Sequence, residues 1–267
     1  MRDLESIKKR QQEAWAAGDF AIMATAQVLV GELLSEAIDI HPGQTALDVA
    51  TGSGNTALAA ARRGAVVVGI DYVASLLERA RERAAAERLR ITFQEGDAEH
   101  LPFPDTSFDI VLSTFGVMFA PDQEQAAREL LRVCRPGGKI GLASWTPDSL
   151  PGQTFGITAR YAPPPPGVRP PVLWGTEERL RELFGDGITA LGITKRSAVG
   201  RSPSEERWLE SRLTYFGPTR KVFEGLDAAG QAAYSRDLLE LVRRFNRAED
   251  GTVIAPSDYL EVVAVRK

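Results

Sequence analysis

The segment Leu47-Asp48-Val49-Ala50-Thr51-Gly52-Ser53-Gly54-Asn55-Thr56-Ala57 constrains this chain more than any other. It reads as a short apolar strand with an acid near its carboxyl end, a glycine turn, and the start of an alanine-rich helix. Gly52 and Gly54 permit a tight bend and let a ligand approach bare backbone, since neither has a side chain to obstruct it. The helix that follows aims free backbone N–H groups at the same space, which favours an anionic group such as a carboxylate or a phosphate. Gly52, Gly54 and Ala57 also satisfy the G-x-G-x-x-A pattern of dinucleotide sites, so the turn alone leaves the ligand open.

The flanking segments narrow the choice. Ala65-Val66-Val67-Val68-Gly69-Ile70 predicts a second strand ending in Asp71, where a carboxylate can take both hydroxyls of a ribose. Ile91 to Glu95 predicts a third, followed by Gly96-Asp97-Ala98, a further acid at the same edge of the sheet. Phe108 to Ser113 predicts a fourth, running into Thr114-Phe115-Gly116-Val117-Met118-Phe119. Leu131-Arg132-Val133-Cys134-Arg135-Pro136-Gly137-Gly138-Lys139-Ile140 turns a helix into a fifth. In this order the motifs resemble the class I S-adenosylmethionine-dependent methyltransferases. Within them they are most similar to the small-molecule group that includes the ubiquinone and menaquinone biosynthesis methyltransferases. The resemblance runs through residues 40–147 and fades outside that span.

The resemblance implies an α/β fold with a doubly wound, seven-stranded, mostly parallel sheet whose last strand is antiparallel. It implies S-adenosylmethionine as methyl donor and S-adenosylhomocysteine as product. Asp48 is then expected near the ligand's ammonium group, and the backbone at Ala50, Gly52 and Gly54 along its methionyl part, with Thr51 and Asn55 beside it. Asp71 is expected on the ribose, with Tyr72 against the adenine and Leu76 nearby. Gly96, Asp97 and Ala98 are expected at the adenine edge, the Asp97 carboxylate accepting from the amino group. Ser113, Thr114, Phe115 and Met118 complete the expected cofactor set. Each position also has a plainer role. Asp71 can cap the next helix, Asp97 can be a solvated loop acid, and Phe115, Met118 and Phe119 can be core.

Around this centre the chain divides into parts. Residues 1–40 read as an N-terminal helical flap, with Leu4, Ile7, Gln11 and Trp15 on one face and a break at Gly18-Asp19. Residues 41–147 alternate strand and helix, the pattern of a doubly wound sheet. Within them, Asp122 is placed to cap a helix with Gln125 completing a capping box. Residues 148–257 read as a substrate lid. It begins with a loop-rich excursion to about residue 176, because Pro151, Pro163 to Pro166 and Pro170-Pro171 cannot sit in a helix interior or a central strand. A short helix over Glu177–Phe184, a sheet strand near 188–195 and two lid helices follow, and residues 258–267 supply the last strand. Trp15, Asp19 and Phe20 from the flap, Phe119 and Trp145 after the fourth and fifth strands, and Trp174, Trp208 and Tyr215 from the lid are the candidate acceptor-pocket residues.

Composition excludes several classes. A net charge of −4 argues against a nucleic-acid surface, which needs a basic footprint. The single Cys134 rules out a disulfide framework, and no Cys/His cluster suggests a metal. The N-terminus Met1-Arg2-Asp3-Leu4-Glu5 lacks a signal-peptide core, and no apolar run is read as approaching membrane-spanning length. The expectation is a cytoplasmic protein with a small-molecule partner and no stable membrane insertion; a homodimer stays open.

Methyl transfer from a sulfonium is an in-line displacement, so alignment and a dry pocket supply much of the acceleration. No catalytic base is assigned. Of the two histidines, His41 precedes a turn and His100 falls on the adenine side. The expected reaction is O- or C-methylation of a phenolic, quinol or related natural-product acceptor. N-methylation of a small amine, an NAD(P)-dependent oxidoreductase and a non-catalytic cofactor-binding protein are the competing readings.

Overall fold

The computed structural model describes residues 4–267; the Met1–Asp3 part of the N-terminal lead-in lies outside the described residues. The elements run α1 (Leu4–Ala16), α2 (Phe20–Ala24), α3 (Val28–Ala37), β1 (Thr45–Val49), α4 (Asn55–Arg62), β2 (Val66–Asp71), α5 (Ala74–Ala86), β3 (Ile91–Glu95), β4 (Phe108–Thr114), α6 (Gln123–Val133) and β5 (Cys134–Trp145). They continue with α7 (Leu150–Tyr161), α8 (Glu177–Phe184), β6 (Ile188–Ser202), α9 (Glu205–Tyr215), α10 (Gly217–Glu224), α11 (Ala228–Phe245) and β7 (Val253–Arg266).

All seven strands form one sheet in the order β3-β2-β1-β4-β5-β7-β6. β1 to β5 pair in parallel, and β7 runs antiparallel to both of its neighbours. The central strands carry apolar residues on both faces because helices cover both faces. One core layer gathers Leu47, Val49, Ile70, Val111, Leu142 and Val262, and the other Ala46, Val67, Ile110 and Leu112. The chain order reverses between β1 and β4, which opens a crevice at the carboxyl edge of the parallel strands.

Helix boundaries follow local chemistry. Asp122 accepts a hydrogen bond from the Gln125 N–H at 2.9 Å, as an N-cap should. The reciprocal half of the expected capping box is absent. Glu99 Oε1 accepts from the Asp122 N–H at 2.8 Å, and the Gln125 carboxamide donates to the Glu99 carbonyl.

Three segments depart from the sequence expectation. Residues 150–161, expected as loop, form α7. Pro151 sits in its first turn, where a missing N–H costs nothing, and Ser149 caps it by accepting from the Gly152 N–H at 3.2 Å. α10 was not anticipated, since a Gly-Pro start is equally a turn signal. β6 and β7 pair over 14 positions, from Ile188↔Arg266 to Ser202↔Val253, so the last strand starts at Val253 and not at Asp258. This long ribbon carries Val253 and Ala255 out to the lid, where they join α7, α9 and α11 in a second core built on Leu150, Trp208, Tyr234 and Leu238.

The N-terminal region also needs correction. Phe20–Ala37 is an 18-residue stretch of mean hydropathy 1.3, apolar and long enough by composition to cross a membrane, where the sequence reading found no such run. Its second half is α3, which buries Val30 in one sheet-face core and Leu34 in the other, so α3 belongs to the core layers and not to the flap.

Candidate functional site

β1 ends at Val49, and the next residue leaves the ordinary regions of backbone space: Ala50 has φ +53° and Gly52 φ +54°. The turn is locked by its neighbours. The Thr51 N–H donates to the Ile70 carbonyl at 2.8 Å, and the Gly52 N–H to Asp71 Oδ2 at 2.9 Å. A Cβ built on Gly52 meets only the Phe20 ring, 4.0 Å away, so the space above this backbone is open. Gly54 behaves differently. Its φ is +85°, and a Cβ there would lie 2.8 Å from Leu58 Cδ1 and 3.1 Å from Ala80 Cβ. This glycine serves the packing of α4 on α5 and does not line the cavity.

Above Gly52 lies a cavity of about 390 Å³, within the range of small-molecule sites. Acids from three successive strands converge on it: Asp48, Asp71 and Asp97. Asp48 is 1% exposed and accepts from the Thr51 hydroxyl at 2.5 Å and the Ala57 N–H at 2.9 Å. Burial outweighs these bonds and pushes its carboxyl up to about 7. Asp71 is 6% exposed, and its Oδ1 accepts from the Val73 N–H at 2.9 Å while Oδ2 holds Gly52. Burial again dominates and raises it to about 6. The N-cap of α5 is Val73, so Asp71 braces the loop before the helix and does not cap it.

Asp97 is the half-buried member of the three. Burial raises its carboxyl, but the Lys8 ammonium at 2.6 Å and the Glu99 N–H at 2.9 Å hold it below the usual carboxylate range. Lys8 reaches Glu99 as well, at 2.5 Å. Two further side chains of α1 fasten the flap: Gln12 donates to the Tyr72 carbonyl and Gln11 to the Phe119 carbonyl. Lys8, Gln11, Gln12 and Trp15 share one helical face, and all four line the cavity. Trp15 is the one of these that the sequence marks as a pocket candidate, although the spacing of the polar residues carries the same signal.

Opposite the acids stands an aromatic wall. Phe115 stacks on Trp145 with centroids 3.7 Å apart, and Trp15 meets Phe20, Phe119 and Phe216 edge-on at 5.2, 4.9 and 5.3 Å. Phe155 of α7 and Phe216 complete the wall; the first lay in the stretch expected as loop.

Comparison with known proteins agrees with this architecture. The methyltransferase domain family model matches residues 47–142. An uncharacterized protein of Mycobacterium tuberculosis is 39% identical over 249 residues, 91% of each chain. The demethylmenaquinone methyltransferase of Deinococcus radiodurans is 36% identical over 161 residues, which is 54% of this chain and 67% of that protein. The chain belongs to the class I S-adenosylmethionine-dependent methyltransferases. The YcgJ protein of Bacillus subtilis has the same fold, with a TM-score of 0.63 at 20% identity over 88% of this chain and 97% of that one.

The methyltransferase places most, though not all, of the residues expected from sequence around one cavity. Asp48, Ala50, Thr51, Gly52, Asn55, Asp71, Tyr72, Leu76, Gly96, Asp97, Ala98, Thr114 and Phe115 line the cavity, with Trp15, Phe20, Phe119 and Trp145. Ser113 does not. It is fully buried, donating to the Val49 carbonyl and accepting from the Val117 N–H, so it ties β4 to β1. Met118 and Trp174 are core residues with no exposed surface. Trp208 belongs to the lid core, and neither Asp19 nor Tyr215 reaches the cavity wall; Phe216, one residue on, does. His100 is turned out to solvent beside Asp97.

Proposed function

We propose that the cavity above Gly52 holds S-adenosylmethionine and that the aromatic wall receives a small acceptor for O- or C-methylation. The observation that carries this reading is the meeting of the Asp48, Asp71 and Asp97 carboxylates with the open backbone of Gly52 in one cavity at the carboxyl edge of the sheet. The residues fit such a ligand. Asp48 lies in a site that leaves its negative charge without a cationic partner, which suits an ammonium group. Asp71, braced from both sides, presents acceptors to a diol. Tyr72 and Leu76 offer flat and apolar surface for a base. When bound, S-adenosylmethionine supplies the electrophilic methyl group.

The chain's own contribution is alignment and exclusion of water. The α1 side chains of Lys8, Gln11 and Gln12 close the cavity against the loops after β2, β3 and β4. Phe115, Trp145, Phe119 and Phe155 give the acceptor side an apolar, planar lining, which supports a phenolic or quinol-like acceptor. The methyltransferase of Deinococcus radiodurans, named for demethylmenaquinone, is in keeping with that class. Calorimetric titration of the purified chain with S-adenosylhomocysteine and with NAD tests the cofactor assignment. Binding of the first and not the second is expected, and preference for NAD overturns it. Transfer of radiolabelled methyl to phenol and hydroquinone acceptors, against amine acceptors, tests the acceptor class.

A further inference from the structure

A smaller cavity of about 100 Å³ adjoins the first, the two sharing Phe20, Gln27, Trp145, Phe155 and Phe216 in their walls. Its outer side is formed by the lid, and the charged residue on its wall is Arg212 of α9. The guanidinium lies over the Trp208 ring, 4.2 Å from its centroid, which satisfies its face and leaves its edge donors unused. Nε is shielded from solvent and meets no acceptor, and no hydrogen bond or ion pair engages this side chain among the described residues. The elements packed on α9 bring no carboxylate to it; the neighbouring group that favours its charge is the Tyr234 hydroxyl. Burial lowers its pKa to about 10, which still leaves a cation at neutral pH.

A partly buried cation without a partner is costly, and Arg179, an arginine buried at 5% exposure, is not left so. Arg179 is matched by Glu124 at 2.7 Å and Glu182 at 3.0 Å. Two more polar side chains on the same small cavity, Gln27 and Ser257, also make no side-chain hydrogen bond among the described residues. Three unspent polar groups facing one space describe a binding site for something that accepts hydrogen bonds and carries negative charge.

We propose that Arg212, with Gln27 and Ser257, anchors an acidic group, a carboxylate or a phosphate, on the methyl acceptor, and so selects acidic acceptors over neutral ones. This rests on the reading of the larger cavity as the S-adenosylmethionine site, because the acid group must be held while the remainder of the acceptor lies against the shared aromatic wall.

The test is a calorimetric titration of protein saturated with S-adenosylhomocysteine. The probes are 4-hydroxybenzoate, phenyl phosphate and the neutral isostere 4-hydroxybenzamide. Wild-type protein is expected to bind at least one acid about tenfold more tightly than the amide, the worth of one charge-assisted hydrogen bond. The better acid tells carboxylate from phosphate. Arg212→Gln is expected to reduce the ratio to about one, and Arg212→Lys to retain part of it. Unchanged S-adenosylhomocysteine affinity shows that each variant is folded. Equal binding of acids and amide, no detectable binding of any probe, or an acid preference that survives Arg212→Gln overturns the proposal. Failure of wild-type protein to take up S-adenosylhomocysteine is a separate result and overturns the cofactor reading instead. Should Arg212→Gln not fold, the wild-type acid-to-amide ratio decides alone.

Discussion

The Phe115 ring lies 3.7 Å from the Trp145 indole with planes 3° apart, although Phe115 is held at φ +59°. A left-handed backbone on a bulky residue costs on the order of 1–3 kcal/mol and persists only when its surroundings enforce it. Here the Phe115 N–H is tied to the Ala143 carbonyl at 2.8 Å and the ring is clamped between Trp145 and Tyr259. The strain therefore sets the angle at which the aromatic wall faces the cavity. Trp145→Ala is expected to lower stability by about 3–5 kcal/mol through the lost side chain and the cavity it leaves, less whatever strain Phe115 then releases. Trp145→Phe, which keeps a stacking partner, should cost less than half as much. Denaturant unfolding of the two variants checks this, and equal losses would refute the clamp.

Asp71 is a bracket between two loops, holding Gly52 with one oxygen and Val73 with the other. Asp71→Ala is expected to weaken S-adenosylhomocysteine binding about 10- to 100-fold, the worth of one to two bonds to a charged group. His100→Ala is expected to leave the affinity unchanged, since that ring points to solvent. Calorimetric titration of both variants settles the point; equal effects would remove Asp71 from the site.

How far the site could be read in advance depended on whether its residues were local in sequence. Asp48 and Asp71 lie at the carboxyl ends of β1 and β2, Gly52 and Asp97 just beyond β1 and β3, and a parallel sheet brings strand ends to one edge, so spacing alone placed them together. Ser113 and Met118 share that neighbourhood in sequence but point inward, because the side chain alternates along β4 and turns with the helical residues after it. Lys8, Gln27, Phe155 and Arg212 come from helices whose docking depends on tertiary packing, for which the sequence holds no spacing rule. α7 was hidden by Pro151, a residue that breaks a helix in its interior and starts one at its first turn. The long β6–β7 ribbon was underestimated because Gly200, Arg201 and Pro256 break the apolar alternation that marks a strand.

The raised carboxyl of Asp48 predicts a pH effect of defined sign. An unfolded aspartate releases its proton near 3.8 and the folded Asp48 at about 7. Between those values the folded state holds more protons, so this residue's contribution to stability declines as pH rises through that window. Asp71 adds the same trend between 3.8 and about 6. An ammonium-bearing ligand favours the ionised carboxyl and reverses the penalty. S-adenosylhomocysteine affinity should therefore rise about tenfold between pH 5.5 and 8, with proton release on binding at the lower pH. Asp48→Asn should weaken binding and flatten the slope. Titration in buffers of different ionisation enthalpy counts the protons, and none released at pH 5.5 would contradict the assignment.

Lys8 latches α1 to the loop after β3 through Asp97 and Glu99. Because Glu99 is buried at 1% exposure, removing the ammonium leaves a shielded carboxylate without its cation. Lys8→Ala should open the flap more often. The expected result is a rise of about tenfold in the dissociation rate of S-adenosylhomocysteine with a smaller change in association. Stopped-flow displacement by excess ligand measures this, and an unchanged dissociation rate would show that α1 does not gate the cavity.

Gly54 and Gly43 separate backbone conformation from packing. Both adopt left-handed angles, φ +85° and +86°, but a Cβ at Gly43 meets nothing within 4 Å, whereas one at Gly54 lies 2.8 Å from Leu58 Cδ1. Gly43→Ala should cost about 1–2 kcal/mol, the conformational penalty alone. Gly54→Ala adds overpacking between α4 and α5 and should cost roughly 2–5 kcal/mol. Gly54 does not line the cavity, so the folded fraction of Gly54→Ala should keep S-adenosylhomocysteine affinity within about threefold of wild type, under 1 kcal/mol. Thermal unfolding gives the first comparison and calorimetry the second. A variant of normal stability that has lost the ligand would mean that Gly54 touches the bound molecule directly, with the turn seated differently from what is seen here.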